Sequence, residues 1–417
     1  MSGLYVQWGM NRLFGLLFVS LVFLGACKKD DPVVEENLSE EDGISILLSD
    51  TLIQSWTQSE LSLAAQFSEF SDQVDKIKYG VDIYKISYST PYKGIEVQAS
   101  GLLCVPNDYN DTLPLSIISA HHGTIFHDDQ APSSYSNSNT EASSQLELLS
   151  SAGYVVLIPD YLGFGDSKDL PHPYYDKAHS VTAVMDFMKA GIEFLEKDSL
   201  VLKEEVFLFG YSEGGYVTMA VQQAIEMDVQ YADVKLAASA IGAGGYSLNG
   251  ILNKLVAQEI YSSPNYLANV IYGYQQTNDW PEGLSDYFQS PYADTIPALL
   301  NGSYTGSEVN ASLTDTLENL LNTTFWNKLN GADGGETKIR TALSVNSVAS
   351  WVPMKPTRMY HGTDDLIVPF DDSKETAQRF NEKGAFDVTF IPIDGANHST
   401  GLVPMVKDVI EWFPAFE

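Results

Sequence analysis

Three side chains in this sequence, a serine, an aspartate and a histidine, have the types and the order needed for nucleophilic catalysis. Ser212 lies in a G-x-S-x-G pattern at residues 210–214, and Asp365 and His398 follow it along the chain. A serine hydroxyl is a weak nucleophile until a histidine accepts its proton and an acid orients that histidine. The three residues therefore predict acyl transfer, with Ser212 as nucleophile, His398 as base and Asp365 as acid.

The residues on either side of Ser212 predict how the serine is held. A short apolar run, Val206 to Phe209, precedes it, and a run of helix-forming residues, Tyr216 to Met227, follows it. A strand, a tight turn and a helix fit this order, with glycines where the strand and helix pass close together. The turn would lie at the helix N-terminus, where the amide of Glu213 can face a developing oxyanion.

The other chemical residues also follow segments that read as strands. We predict strands at residues 115–120, 154–159, 234–241, 357–361 and 386–392, and the last two immediately precede Asp365 and His398. The carboxyl ends of parallel strands meet at one edge of a sheet, so the three side chains would converge there. A second oxyanion donor is expected after the strand at 115–120, where Gly123 and Thr124 are the candidates and Thr124 is preferred. The fold class is α/β, with a mostly parallel sheet flanked by helices.

Other segments complete the expected architecture. Residues 81–88 and 95–105 read as an antiparallel pair of strands, and residues 44–70 read as a helical extension. Between residues 246 and 355 the strand–helix rhythm stops, and short helical pieces rich in aromatic residues suggest an inserted cap. These aromatics either shape an apolar substrate channel under a lid or fill the core of the cap itself. The sheet-containing domain would then comprise residues 44–245 and 356–417.

The N-terminus reads as a targeting segment. Arg12 precedes an apolar run, Leu13 to Ala26, that is too short to span a bilayer and suits a signal peptide. It ends in Leu-Gly-Ala-Cys27, which resembles the lipidation box of bacterial lipoproteins, although a plain secretory signal would also fit. Residues 1–27 are thus a lipoprotein signal ending at Cys27, with translation starting at Met1 or Met10, and residues 28–43 are an acidic tether. We expect an exported lipoprotein held at the outer membrane or cell surface by its lipid.

Composition excludes several classes of function. The 417 residues carry a net charge of −32, which argues against binding to nucleic acid or to anionic lipid. The two cysteines, Cys27 and Cys104, predict no disulfide. His121 and His122 are adjacent, so on a strand they point to opposite faces and do not form a metal site. The expected chemistry needs no metal and no cofactor, and the oligomeric state is left open.

Several motifs together resemble a known family. They are P-D-Y-L-G-F-G-D-S at 159–167, H-P-Y at 172–174, G-Y-S-E-G-G at 210–215, G-T-D-D-L-I-V-P at 362–369 and G-A-N-H at 395–398. Over residues 81–415 the chain resembles an α/β-hydrolase, and within that fold it is similar to the secretory lipase family.

The resemblance implies hydrolysis of carboxylic esters, often lipid esters, under a helical lid. It also implies the roles given above to Ser212 and His398, and its register selects Asp365 over Asp364 as the acid. Fungal members contain disulfides that this chain cannot form, so the family's substrate range does not carry over. Three alternatives stay open: a serine peptidase of the same fold, an esterase acting on acetylated or feruloylated polysaccharide, and a non-catalytic surface binding protein.

Overall fold

One twisted sheet organises the fold. The computed structural model describes residues 45–109, 114–136, 148–197, 200–331 and 337–417. Within these ranges a nine-stranded sheet has the order β1-β2-β3-β5-β4-β6-β7-β8-β9. Strands from β5 to β9 pair in parallel, whereas β1, β2, β3 and β5 pair antiparallel. The strands are β1 Leu47–Trp56, β2 Gly80–Tyr92, β3 Ile95–Asn107, β4 Leu115–His121, β5 Tyr154–Pro159, β6 Leu202–Tyr211, β7 Lys235–Gly242, β8 Thr357–Gly362 and β9 Val388–Ile393.

The central strands are covered on both faces. Strands β4 and β5 are buried at every position, as their continuous apolar runs require. Successive residues point to opposite faces, so Ile117 packs in one apolar cluster and Ile118 in the other. The first cluster includes helices α2 (Lys177–Lys197) and α3 (Glu213–Met227), and the second includes α1 (Gln58–Gln66) and α12 (Leu402–Trp412). The fold is therefore a three-layer α/β arrangement.

The prediction of a helix over residues 44–70 is wrong for most of its length. Residues 47–56 form β1, which pairs antiparallel with β2, and the α-helix covers only α1. Leu48 and Leu52 stand four residues apart, a spacing typical of one face of a helix, yet each is 51% exposed in the strand. Backbone pairing with the free edge of β2 outweighs that spacing, because it satisfies a full row of peptide groups. The helix begins only at Thr57, whose side chain caps it together with Glu60.

Residues 246–355, here called the cap, lie between β7 and β8. Their described part is mainly helical: α4 Leu248–Val256, α5 Pro264–Thr277, α6 Tyr292–Leu299, α7 Gly306–Ala311, α8 Leu317–Leu320, α9 Thr323–Leu329 and α10 Lys338–Asn346. Many of its aromatic side chains are buried, among them Tyr274, Phe288 and Trp351. Tyr261 and Tyr266, however, line a cavity that reaches Ser212. The aromatics thus serve both as core and as cavity wall.

Both ends of the cap are held by carboxylates of helices in the sheet domain. At the start, Asp372 of α11 (Phe370–Glu382) accepts hydrogen bonds from the amides of Tyr246 and Ser247, at 2.7 and 3.2 Å. At the end, Glu226 of α3 accepts one from the amide of Met354 at 2.6 Å. Asp372 is only 4% exposed. A buried carboxylate bonded to backbone amides fixes the chain where it leaves the sheet.

The remaining strands run close to the predicted positions. The strand predicted at 234–241 spans Lys235–Gly242, and the strand predicted at 386–392 spans Val388–Ile393. None of the helices in the described ranges is both long and apolar enough to cross a bilayer.

Candidate active site

Ser212 lies at the turn between β6 and α3, in a strained backbone conformation. Its φ and ψ are 60° and −124°, a region that side-chain-bearing residues rarely adopt. A Cβ on Gly214 would lie 1.9 Å from the carbonyl oxygen of His121 on the neighbouring strand. Only glycine fits this close approach, so the G-x-S-x-G spacing follows from the packing of strand against helix.

A chain of hydrogen bonds joins Ser212, His398 and Asp365. Nε2 of His398 lies 2.8 Å from Oγ of Ser212, and Nδ1 of His398 lies 2.6 Å from Oδ2 of Asp365. The three side chains come from the loops after β6, β8 and β9, which open at the carboxyl edge of the sheet. The structure therefore brings together the three residues that the sequence singled out. An arrangement of this kind can pass a proton from a serine hydroxyl to an imidazole.

Asp365 is the aspartate that faces the histidine. It is 7% exposed, and its Oδ1 accepts hydrogen bonds from the amides of Ile367 and Val368 at 2.8 and 3.0 Å. Burial raises the pKa of Asp365, but hydrogen bonds from His361 and His398 outweigh burial and hold it well below its usual range. The neighbouring Asp364 is exposed. The carboxylate beside His398 is therefore ionised at neutral pH.

A second histidine, His361, also lies against Asp365. It is fully buried, and its Nε2 lies 3.0 Å from Oδ2 of Asp365 and 3.1 Å from the carbonyl oxygen of Val368. Both of these oxygens accept, so Nε2 must carry the proton. Nδ1 then accepts from the hydroxyl of Ser373, 2.6 Å away. In the sequence, only its position four residues before Asp365, at the end of a strand, pointed to this contact with Asp365.

The candidate oxyanion donors are the amide of Thr124, in the loop after β4, and the amide of Glu213, the residue that follows Ser212. A Cβ on Gly123 would be 3.4 Å from Cβ of Ser212, so the loop after β4 passes directly beside the serine. The hydroxyl of Thr124 is bonded to that of Tyr174 at 2.9 Å. Among the described residues no group accepts a hydrogen bond from the amide of Thr124 or of Glu213. Two amides with no protein acceptor beside a serine can hold an anionic oxygen.

The side chain of Glu213 forms a buried pair that the sequence did not reveal. Its carboxylate oxygen lies 2.8 Å from Nε2 of His172, and these side chains are 3% and 9% exposed. Nδ1 of His172 lies 2.7 Å from the carbonyl oxygen of Leu162, so Nδ1 carries a proton. A further proton must lie between His172 and Glu213. The pair ties the H-P-Y segment to the first residue of α3.

The adjacent histidines after β4 have separate environments. His121 is buried, and its ring nitrogens bond the hydroxyls of Thr218 at 2.7 Å and Ser119 at 3.0 Å. Burial, helped by the neighbouring charge of His122, lowers the pKa of His121 to about 3. His122 faces the cavity beside Ser212. In the described part of the chain no three histidine, cysteine or acidic side chains are grouped as metal ligands.

Two cavities meet at Ser212. The first, with a volume of about 100 Å³, is lined mainly by aliphatic and aromatic side chains of the cap, including Leu248, Leu252, Leu255, Tyr261, Leu267 and Val270. The second, with a volume of about 400 Å³, is lined by His122, Gly123, Thr124, Gln130 and His398. The serine hydroxyl thus has an apolar space on one side and a more polar space on the other.

Cys27 and the two N-terminal segments predicted from the sequence lie outside the described residues. The prediction of lipidation therefore stays a prediction.

Comparison with known proteins identifies the family. The model of the secretory lipase family matches residues 130–415, whereas no curated protein matches the chain significantly. The fold is similar to that of a Legionella pneumophila protein assigned as a hydrolase, with a TM-score of 0.80 and 24% identity over 89% of this chain and 98% of that one. The rice cell wall degrading esterase LipA from Xanthomonas oryzae gives a TM-score of 0.75 and 25% identity over 87% of this chain and 95% of that one.

Lipase A of Candida antarctica is more distant. Its TM-score is 0.61, with 19% identity over 87% of this chain and 82% of that chain. The fold is thus that of the α/β-hydrolases, and because the family model covers more than half of its residues, the chain belongs to the secretory lipase family of ester hydrolases.

Proposed function

We propose that the protein is a serine carboxylic-ester hydrolase that works through an acyl-enzyme on Ser212. The observation that carries this proposal is the hydrogen-bonded chain from Ser212 through His398 to Asp365, at the point where the two cavities meet. Membership of the secretory lipase family supports the same reaction class.

In the first step Oγ of Ser212 attacks the carbonyl carbon of the ester, and its proton moves to Nε2 of His398. Asp365 stabilises the imidazolium that forms. The carbonyl electrons move onto oxygen, and the amides of Glu213 and Thr124 hold the resulting oxyanion. The bond from carbon to the alcohol oxygen then breaks, and His398 gives its proton to that oxygen. The alcohol leaves and Ser212 is acylated.

The second step reverses these roles with water. His398 takes a proton from the water as its oxygen attacks the acyl carbon, and the same two amides hold the oxyanion. The bond to Ser212 breaks, the serine recovers its proton from His398, and a carboxylic acid is released. Water and the side chains supply every atom and proton, so the proposed reaction needs no cofactor.

The two cavities suggest how the substrate lies. The cavity under the cap is lined almost wholly by apolar side chains, which favours an apolar acyl chain over a charged or polar one. The cavity that contains Gly123 and His398 has polar groups that suit the alcohol part of the ester. We therefore propose an ester with an aliphatic acyl group as substrate.

A fluorophosphonate probe tests the nucleophile. It should label wild-type protein and leave the Ser212→Ala variant unlabelled, because the probe forms its bond with an activated serine. A protein that does not react, or that reacts at another residue, would contradict the proposal. The same result would favour a non-catalytic surface protein.

A substrate panel tests the bond that is cleaved. Esters of increasing acyl length should be hydrolysed, with the best kcat/KM for chains long enough to enter the apolar cavity. Peptides and acetylated or feruloylated polysaccharides are included as competitors. Faster cleavage of a peptide would replace the proposal by a serine peptidase, and a strict preference for acetyl or feruloyl groups would move the substrate to plant polysaccharide.

For location, we propose export as a lipoprotein anchored through Cys27 at the outer membrane or cell surface. The support is the apolar segment that ends in Leu-Gly-Ala-Cys27, together with the secretory character of the family. A single acyl chain gives marginal anchoring, whereas the bacterial modification supplies several.

A further inference from the structure

The ring of His122 faces a hydrogen-bond acceptor at each nitrogen. Nδ1 lies 2.7 Å from the carbonyl oxygen of Gly123, and Nε2 lies 3.2 Å from the carbonyl oxygen of Asp160. A carbonyl oxygen only accepts hydrogen bonds, so both ring nitrogens must donate. We infer that His122 is held as an imidazolium that strengthens the oxyanion hole by acting through the Gly123–Thr124 peptide group.

The surroundings of the ring favour the charged form. Asp160, whose carbonyl accepts from Nε2, also has a fully buried carboxyl group; burial raises the pKa of this carboxyl, and the charge of His122 opposes that rise. The ring of Tyr161 is stacked on His122, with centroids 4.2 Å apart and planes at 24°. An aromatic face attracts a cation placed over it.

Tyr161 also fixes the backbone of His122. Its hydroxyl donates to the carbonyl oxygen of His122 at 3.0 Å, so one side chain holds both the ring and the main chain. Tyr161 has a φ of 65°, in the left-handed region that bulky residues rarely adopt. Strain of this kind persists only where the surrounding structure imposes it, and it clusters at functional sites.

The geometry connects His122 with the reaction through one peptide group. The carbonyl that accepts from Nδ1 belongs to Gly123, and the N–H of the same peptide belongs to Thr124. A hydrogen bond to the carbonyl end of an amide polarises its N–H end and makes it a better donor. This step rests on the proposed function, in which the amide of Thr124 holds the oxyanion. His122 is then a positioning residue, since it acts on the substrate only through Thr124.

Four titratable groups face His122 from the elements packed around it. Asp160 and the stacked Tyr161 lie against the ring, and His121 is adjacent on β4 and uncharged, since its pKa is about 3. His398, the base of the proposed reaction, lines the same cavity.

Two variants separate the hydrogen bond from the charge. His122→Phe keeps a ring to stack on Tyr161 but has no N–H group. His122→Asn can place its amide N–H where Nδ1 lies, as a neutral donor to Gly123. Removing an oxyanion donor costs about 10²- to 10³-fold in kcat, and weakening one should cost less. We expect kcat on an activated ester to fall by about 10- to 100-fold for the phenylalanine variant and by less for asparagine, with KM changed by less than about twofold.

The affinity for a mimic of the tetrahedral oxyanion gives a sharper readout. Affinity for a boronic acid, which mimics the tetrahedral oxyanion, should fall in the same ratio as kcat/KM. A residue with only a structural role would change the melting temperature and leave both quantities alone.

Direct observation of the ring decides the charge. Long-range ¹H–¹⁵N spectra of the wild-type protein at neutral pH, with the signal of His122 assigned by the asparagine variant, should show two protonated nitrogens. A bare ring nitrogen would overturn the inference, as would a phenylalanine variant with wild-type kcat. If fluorophosphonate fails to label Ser212, the proposed function fails instead, and the spectra still report the charge on His122.

Discussion

Replacing Asp365 by asparagine keeps the shape of the side chain but turns one of its two hydrogen-bond acceptors into a donor. Oδ1 of Asp365 accepts from the amides of Ile367 and Val368, so the carbonyl oxygen of an asparagine would stay there. Its NH₂ group then occupies the position of Oδ2. That position lies 2.6 Å from Nδ1 of His398 and 3.0 Å from Nε2 of His361, both of which donate in the wild-type protein. The substitution therefore places donors against donors.

His398 can relieve this conflict by moving its proton from Nδ1 to Nε2. Nε2 then has no lone pair to accept the proton of Ser212, and the imidazolium has no carboxylate partner. In a serine protease triad the same substitution costs about 10⁴-fold in kcat. We expect a loss of about 10³- to 10⁴-fold for Asp365→Asn, or about 4–5.5 kcal/mol of transition-state stabilisation.

Asp364→Asn is the matched control. Its side chain is exposed, and its amide donates to the carbonyl oxygen of Ala396, a bond that the substitution leaves in place. We expect kcat to stay within about threefold of wild type, as for most surface substitutions.

The assay measures kcat and KM on one activated ester for wild type and both variants, with enzyme concentration taken from circular dichroism and absorbance of folded protein. Retention of more than about a tenth of wild-type kcat by Asp365→Asn would refute the tautomer argument. Severe impairment of Asp364→Asn would show that the acid is the other aspartate.

Four further outcomes are expected. Val270→Phe, which reduces the apolar cavity, should lower kcat/KM for long acyl esters at least about tenfold and leave acetyl esters nearly unchanged, as a panel of p-nitrophenyl esters would show; an equal loss on both would make the cavity irrelevant to the acyl chain. Cys27→Ser should move the protein from the membrane to the soluble fraction, and a variant that still sediments wholly with membranes would disprove lipid anchoring. Gly214→Ala should destabilise the fold by at least about 3 kcal/mol, because its Cβ would meet a carbonyl oxygen, whereas Gly283→Ala should be near neutral in denaturant unfolding. The pKa of Asp365 is lower in the folded than in the unfolded state, so its ionised form stabilises the fold above the unfolded pKa of about 4, and this stabilisation is lost as pH falls below that value. Between pH 7 and pH 3 the free energy of unfolding should therefore fall by about 1 kcal/mol more in wild type than in Asp365→Asn.

Sequence patterns predicted the parallel half of the sheet well. Strands β4 and β5 are buried at every position and read as continuous apolar runs, and the loops after β4, β6, β8 and β9 each carry a residue of the candidate site. Spacing failed at β1, whose edge position leaves Leu48 and Leu52 half exposed. An exposed edge strand has little apolar pattern of its own, and the residues of β2 that pair with β1 lie 25 to 41 positions away in the sequence.

Within the site, the sequence pointed to the residues of the proton chain but not to their supports. Ser212, Asp365 and His398 occur in recognisable motifs after strands, whereas the contacts of His361, His172 and His122 depend on tertiary packing. The pair of His172 and Glu213 joins residues 41 positions apart. No local pattern specifies such a contact, since both partners look like ordinary polar residues in their own segments.

The two carboxylates that hold the ends of the cap would hold a cap of a different sequence in the same way. Asp372 and Glu226 belong to helices of the sheet domain, and each bonds backbone amides rather than side chains of the cap. Backbone amides are present whatever the cap sequence, so these anchors place no demand on residue identity beyond the exclusion of proline at Tyr246, Ser247 and Met354. These two junctions therefore allow one cap to replace another while Ser212, His398 and Asp365 keep their hydrogen bonds. New acyl specificities could thus arise by recombination at the two junctions, without successive mutations in the sheet domain.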